Sequence, residues 1–67
     1  MISGDDFVRA VRKAGYELDH MEGSHMILRH PSRRRLVVPR HRELGRGILR
    51  RLIDQAGLSR EEFLELL

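Results

Sequence analysis

Apolar positions follow a helical spacing at both ends of this chain and a two-residue alternation in its middle, so the sequence divides into helix, sheet and helix. Phe7, Val8, Val11 and Ala14 recur on one helical face. Ser3 reads as the N-cap, with Asp6 three residues on forming a relative of the capping box and Ile2 able to staple onto Phe7. Lys13 suits the negative end of the helix dipole, and Gly15 supplies a left-handed stop.

Tyr16 to Met21, Ser24 to His30 and Arg34 to Val38 read as three strands of an antiparallel meander, with turns at Gly23 and at Pro31-Ser32. In the first hairpin the expected pairing sets Leu18 opposite Met26 and Tyr16 opposite Leu28. In the second it sets Leu36 opposite Leu28 and Val38 opposite Met26. One apolar face results: Tyr16, Leu18, Met26, Leu28, Leu36 and Val38. Glu17, Asp19, His25, Ile27, Arg29, Arg35 and Val37 then occupy the other, with His25 opposite Asp19.

Pro39 ends the third strand, and Arg40 to Arg46 form a basic connection. Ile48, Leu49, Leu52, Ile53 and Ala56 make the stripe of a second helix that starts near Gly47 and stops at Gly57. Ser59 with Glu62 is a full capping box, opening a short third helix over residues 60–67. The expected fold is a single α+β domain over residues 1–67, a three-stranded antiparallel sheet with helices on one face and a short C-terminal helix added.

Charge sharpens this picture. The net charge of the 67 residues is only +3, yet residues 29–51 hold nine arginines against one acid, Glu43, a local +8 between acidic flanks. Arginine rather than lysine favours bidentate contact with phosphate, and the asymmetry points to nucleic acid. There is no cysteine to brace the fold by disulfide or zinc, which fits a reducing cytoplasm. The acidic first residues do not read as a signal peptide, and no apolar run is long enough to span a membrane, so a cytoplasmic protein is expected.

A titratable histidine close to fixed positive charge suits work on a phosphodiester, because imidazole moves a proton near neutral pH while guanidinium groups hold phosphate oxygens. His25 is the candidate, directly after the Gly23-Ser24 turn. Asp19, if opposite, would orient its ring, Ser24 could donate a hydrogen bond nearby, and His41 in the basic connection is a second candidate proton carrier. Arg29, Arg33, Arg34, Arg35, Arg40 and Arg42 are the candidate RNA contacts. His30, before Pro31, reads as a strand terminator, and His20 as a partly satisfied histidine on the buried side. His20, His25 and His30 alternate faces, and no cysteine or carboxylate cluster completes a ligand set, so neither a metal nor a cofactor is expected.

Gly15-Tyr16, Gly23-Ser24-His25, His30-Pro31, Val38-Pro39, Glu43-Leu44, Gly47 and Gln55-Ala56-Gly57-Leu58-Ser59 together resemble the HicA toxins. The match runs in order over nearly the whole chain. The resemblance implies a double-stranded-RNA-binding-domain-like fold, cleavage of mRNA as an interferase, neutralisation by a HicB-type antitoxin protein, and a functional histidine at His25. His20 and Glu22 depart from the family pattern, which commonly has basic residues there. The competing readings are a module that binds double-stranded RNA without cutting it and a helix-turn-helix DNA-binding protein. The second is disfavoured by the helix Arg60 to Leu67, which carries three acids to one base and would be repelled by phosphates.

Overall fold

The computed structural model describes residues 1–67, and its first and last helices start at the two capping signals of the sequence. Helix α1 spans Gly4–Arg12, where Ser3 Oγ accepts from the Asp6 N–H and the Asp6 carboxylate accepts from the Ser3 N–H. Helix α2, Arg46–Gln55, has Gly45 as N-cap with no side-chain bond, and α3, Arg60–Leu66, repeats the capping box with Ser59 and Glu62. Between α1 and α2 run strands β1 (Glu17–Glu22), β2 (His25–Arg29) and β3 (Leu36–Pro39), an antiparallel sheet in the order β1-β2-β3. The fold is thus the expected α+β arrangement, α-β-β-β-α-α.

The second hairpin has the expected register: Leu28 faces Leu36, Met26 faces Val38, and His25 faces Pro39. The first does not. Glu22 stands opposite His25, Met21 opposite Met26 and Leu18 opposite Leu28, with a bulge between Leu18 and His20. The two-residue turn fixes this pairing, because Gly23 has a φ of 59° and Ser24 a negative φ, the signs of a type II′ hairpin turn. Asp19 occupies the bulge, so His25 is paired with Glu22 and not with Asp19.

Thirteen buried residues form one core: Phe7, Val8, Ala10 and Val11 of α1, Tyr16, the sheet residues Met26, Leu28, Leu36 and Val38, then Leu44, Leu52, Ala56 and Phe63. Phe7 and Phe63 stack with ring centroids 5.3 Å apart, tying α3 to α1. Leu18, expected in this face, is 45% exposed. The helices contact the sheet chiefly at β3, so β1 is the uncovered edge and its inward side chains overhang the core. The opposite sheet face carries Ile27, 1% exposed between His20 and Val37 on the flanking strands.

Two backbone bonds hold the start of α1 to the connection after β3: the Gly4 N–H donates to the His41 carbonyl at 2.9 Å, and the Leu44 N–H to the Ile2 carbonyl at 2.7 Å. The approach is so close that a Cβ on Gly4 would collide with the Pro39 carbonyl oxygen. Because the obstacle is backbone, Gly4→Ala is expected to cost about 1–3 kcal/mol, the usual range for overpacking. Gly47, in α2, has nothing within 4 Å of such a Cβ, and Gly47→Ala is expected to stabilise by up to about 1 kcal/mol through helix propensity. Urea midpoints of the two variants check both signs, and a Gly4→Ala midpoint equal to the parent's would contradict the close-approach account.

Candidate active site

Three short-range anchors shape the loop between β2 and β3. The Tyr16 O–H, on a fully buried ring, donates to the Arg34 carbonyl at 2.9 Å. His30 bridges Ala14 and Ser32: its Nε2 meets the Ala14 carbonyl at 3.0 Å and its Nδ1 accepts from the Ser32 N–H at 3.0 Å, with the ring tilted against Tyr16 at 4.8 Å. Arg33 donates through its guanidinium to the Ala56 carbonyl at 2.9 Å, closing the C-terminal end of α2. His30 is therefore a structural residue, as its place before Pro31 suggested.

With that loop fixed, Arg34 and Arg35 line a groove of about 620 Å³ between the outer side of β3 and one face of α2. Its walls include His25, His41, Val37, Pro39, Arg51 and Gln55. His25 enters because it is the first residue of β2 and pairs with Pro39. His41 enters because the Arg40 N–H donates to the Ser24 carbonyl at 2.8 Å, extending the β2–β3 ladder one residue, while Gly4 holds the His41 carbonyl. Ser24 thus contributes its main chain.

The remaining basic residues divide by partner. Arg29 Nε lies 3.2 Å from the Asp19 carboxylate, and Arg40 Nε 3.3 Å from Asp5. Arg33 caps α2, and Arg42 lies in the connection outside the groove wall. Arg51 and Gln55 were missed in the sequence reading, which followed only the apolar stripe of α2. Ile48, Arg51, Leu52 and Gln55 share one helical face, a mixed stripe whose importance depends on its lying beside β3.

Asp19 serves a different histidine from the one expected. His20 Nδ1 lies 2.6 Å from the Asp19 carboxylate and His20 Nε2 2.9 Å from that of Glu22. His20 is exposed, not on the buried side, because the bulge reverses strand parity after Leu18. Bonds first to Glu22 and then to Asp19 raise its pKa, while bonds to His20 lead the causes that lower both carboxylates. Glu22 also feels the positive charge of Arg35 and His25, so the cluster borders the groove electrostatically.

The exposed face of the third helix, Arg60, Glu61, Glu62, Leu64 and Glu65, carries three acids to one base and is unsuited to DNA, while Phe63 is buried and Lys13 Nζ donates to the Leu66 carbonyl at 2.9 Å. Its first turn carries Glu61 and Glu62. No helix is long and apolar enough to cross a membrane.

Compared with known proteins, residues 4–58 match a family model described as the HicA toxin of bacterial toxin-antitoxin. No curated protein matches the chain.

The raised pKa of His20 fixes the sign of a pH effect. Its contribution to stability is present below the ordinary histidine value of 6.5 and is lost as the pH rises through the raised value. The shares of Asp19 and Glu22, whose pKa values are lowered, are lost as the pH falls through those depressed values. An NMR titration of the His20 ring is expected to give a midpoint above 6.5, and Glu22→Gln to move it down. A midpoint unchanged by Glu22→Gln would exclude the pairing in solution.

Proposed function

The chain belongs to the HicA toxin family of bacterial toxin-antitoxin systems, and from that premise we propose that it is an mRNA endoribonuclease with His25 as a proton-transfer group. The observation that carries this reading is the groove in which His25 stands with Arg34, Arg35 and Arg51. RNA brings its own nucleophile. His25 takes the proton of a 2′-hydroxyl, the 2′-oxygen bonds to phosphorus, and the bond from phosphorus to the 5′-oxygen breaks. Arg34, Arg35 and Arg51 hold the phosphate oxygens as charge develops on them. Arg29, Arg33, Arg40 and Arg42 are arranged outside that centre and serve the RNA backbone, as far as their contacts to Asp19, Ala56 and Asp5 leave donors free.

The family implies an antitoxin partner. A HicB-type antitoxin with an acidic surface would cover the arginines and bury His25, blocking RNA and stabilising a small fold by mass action. The site of action would be the cytoplasm, where mRNA is translated.

Removing a general acid or base typically costs 10²–10⁴-fold in rate, so His25→Ala should leave a long transcript essentially uncut by roughly that factor. RNA left intact by the parent as well as the variant would leave a binding module as the better reading, and equal cleavage by both would remove His25 from the chemistry. Arg51→Ala, which no sequence motif singles out, is expected to slow cleavage while the fold is kept, judged by an unchanged urea midpoint. End-group analysis checks the route: a 2′,3′-cyclic phosphate is expected, and a 5′ phosphate on the downstream fragment would overturn it.

A further inference from the structure

Cleavage through the 2′-hydroxyl needs a second proton transfer, to the departing 5′-oxygen, and His25 serves only the first. In-line displacement sets the attacking and leaving oxygens on opposite sides of phosphorus. The two proton carriers must therefore stand apart, each about 3 Å from its own oxygen across the phosphate. Among the residues lining the groove, only His25 and His41 are histidines, the side-chain type suited to proton transfer. The other two histidines are engaged elsewhere. His20 is bonded at both ring nitrogens to Asp19 and Glu22, and His30 at both to Ala14 and Ser32.

We propose that His41 is the general acid of the reaction, protonating the 5′-oxygen as the phosphorus–oxygen bond breaks, a role that rests on the assignment of His25 as base. The backbone supports the separation. His25 pairs with Pro39, and His41 stands two residues beyond, one past the bond from Arg40 to the Ser24 carbonyl. The two histidines thus line one groove from two separate segments, the first residue of β2 and the connection after β3. The electrostatics support the division of labour. The base gains positive charge, and His25 gains it opposite Glu22. The acid loses positive charge, and His41 stands in a groove whose walls carry Arg34, Arg35 and Arg51. Atoms balance: one proton leaves the 2′-hydroxyl for His25, one leaves His41 for the 5′-oxygen, and the products are a cyclic phosphate and a 5′-hydroxyl.

The test uses two substrates, an RNA and the same RNA with sulfur replacing the bridging 5′-oxygen at the cleaved bond, a leaving group that needs no acid. His41→Ala keeps the main-chain link to Gly4, so the loop is retained. This variant is expected to cut the ordinary RNA about 10²-fold or more slowly and the sulfur-bridged RNA at nearly the parent rate. His25→Ala is expected to be slow on both. Equal slowing of both substrates by His41→Ala, or no slowing of either, would overturn the role of His41 while leaving His25 as base. Rescue of His25→Ala by sulfur would reverse the two roles and overturn the assignment made here. Full activity of His25→Ala on the ordinary RNA would instead overturn His25 as base, and with it the role of His41, whereas RNA left uncut by the parent would overturn the underlying nuclease reading.

Discussion

Met26 and Leu28 can face Val38 and Leu36 across the β2–β3 ladder in only one register, and a slip of a single residue would turn all four side chains out of the core. The groove depends on the same pairing. With inward positions fixed at Met26, Leu28, Leu36 and Val38, the positions between them must face outward, which puts Val37 on the groove side and pairs His25 with Pro39 at its end. Core and site are the two faces of one strand pair, so anything that disturbs the packing of α1 or α2 on the inner face is felt on the outer one.

Around that pair, small contacts do the positioning. Tyr16, His30 and Arg33 each fix one point of the loop that delivers Arg34 and Arg35. The second half of the site is set by the backbone of Ile2, Gly4 and Ser24, which receives the connection from Arg40 to Leu44. The buried side chain of Leu44 anchors the connection from below. In a chain with one core of thirteen residues, such economy matters, since little apolar surface is left over to order a loop independently.

The helices and the second hairpin were legible in the sequence because caps and apolar stripes are local signals and β3 alternates over a buried face opposite Met26 and Leu28. The first hairpin was not. Leu18 and Met21 differ in parity, yet both pair with inward residues, and only a bulge at Asp19 reconciles them. An edge strand that is exposed along its whole length gives little hydrophobic pattern from which to read that irregularity. The bulge moves Asp19 away from His25 and puts Glu22 there. His25, Arg34, Arg35 and His41 were all named from sequence, but what brings them together is tertiary. Arg51 and Gln55 could join them only once α2 was known to lie beside β3. Nothing local marks Gly4 as a contact with Pro39, because the collision it avoids involves a residue thirty-five positions away.

The hydrogen bonds that splint the chain's first residues to the connection carrying His41 join N–H and C=O groups, with the Arg40–Asp5 ion pair beside them. Such bonds are indifferent to the side chains attached to the residues that form them, provided Gly4 stays small. The position occupied by His41 is therefore an interchangeable socket: its place beside the groove is set by the backbone, and its chemistry by whichever residue is plugged in. A fold built this way can gain, lose or exchange a side chain at that position by a single codon change without rebuilding the loop that presents it.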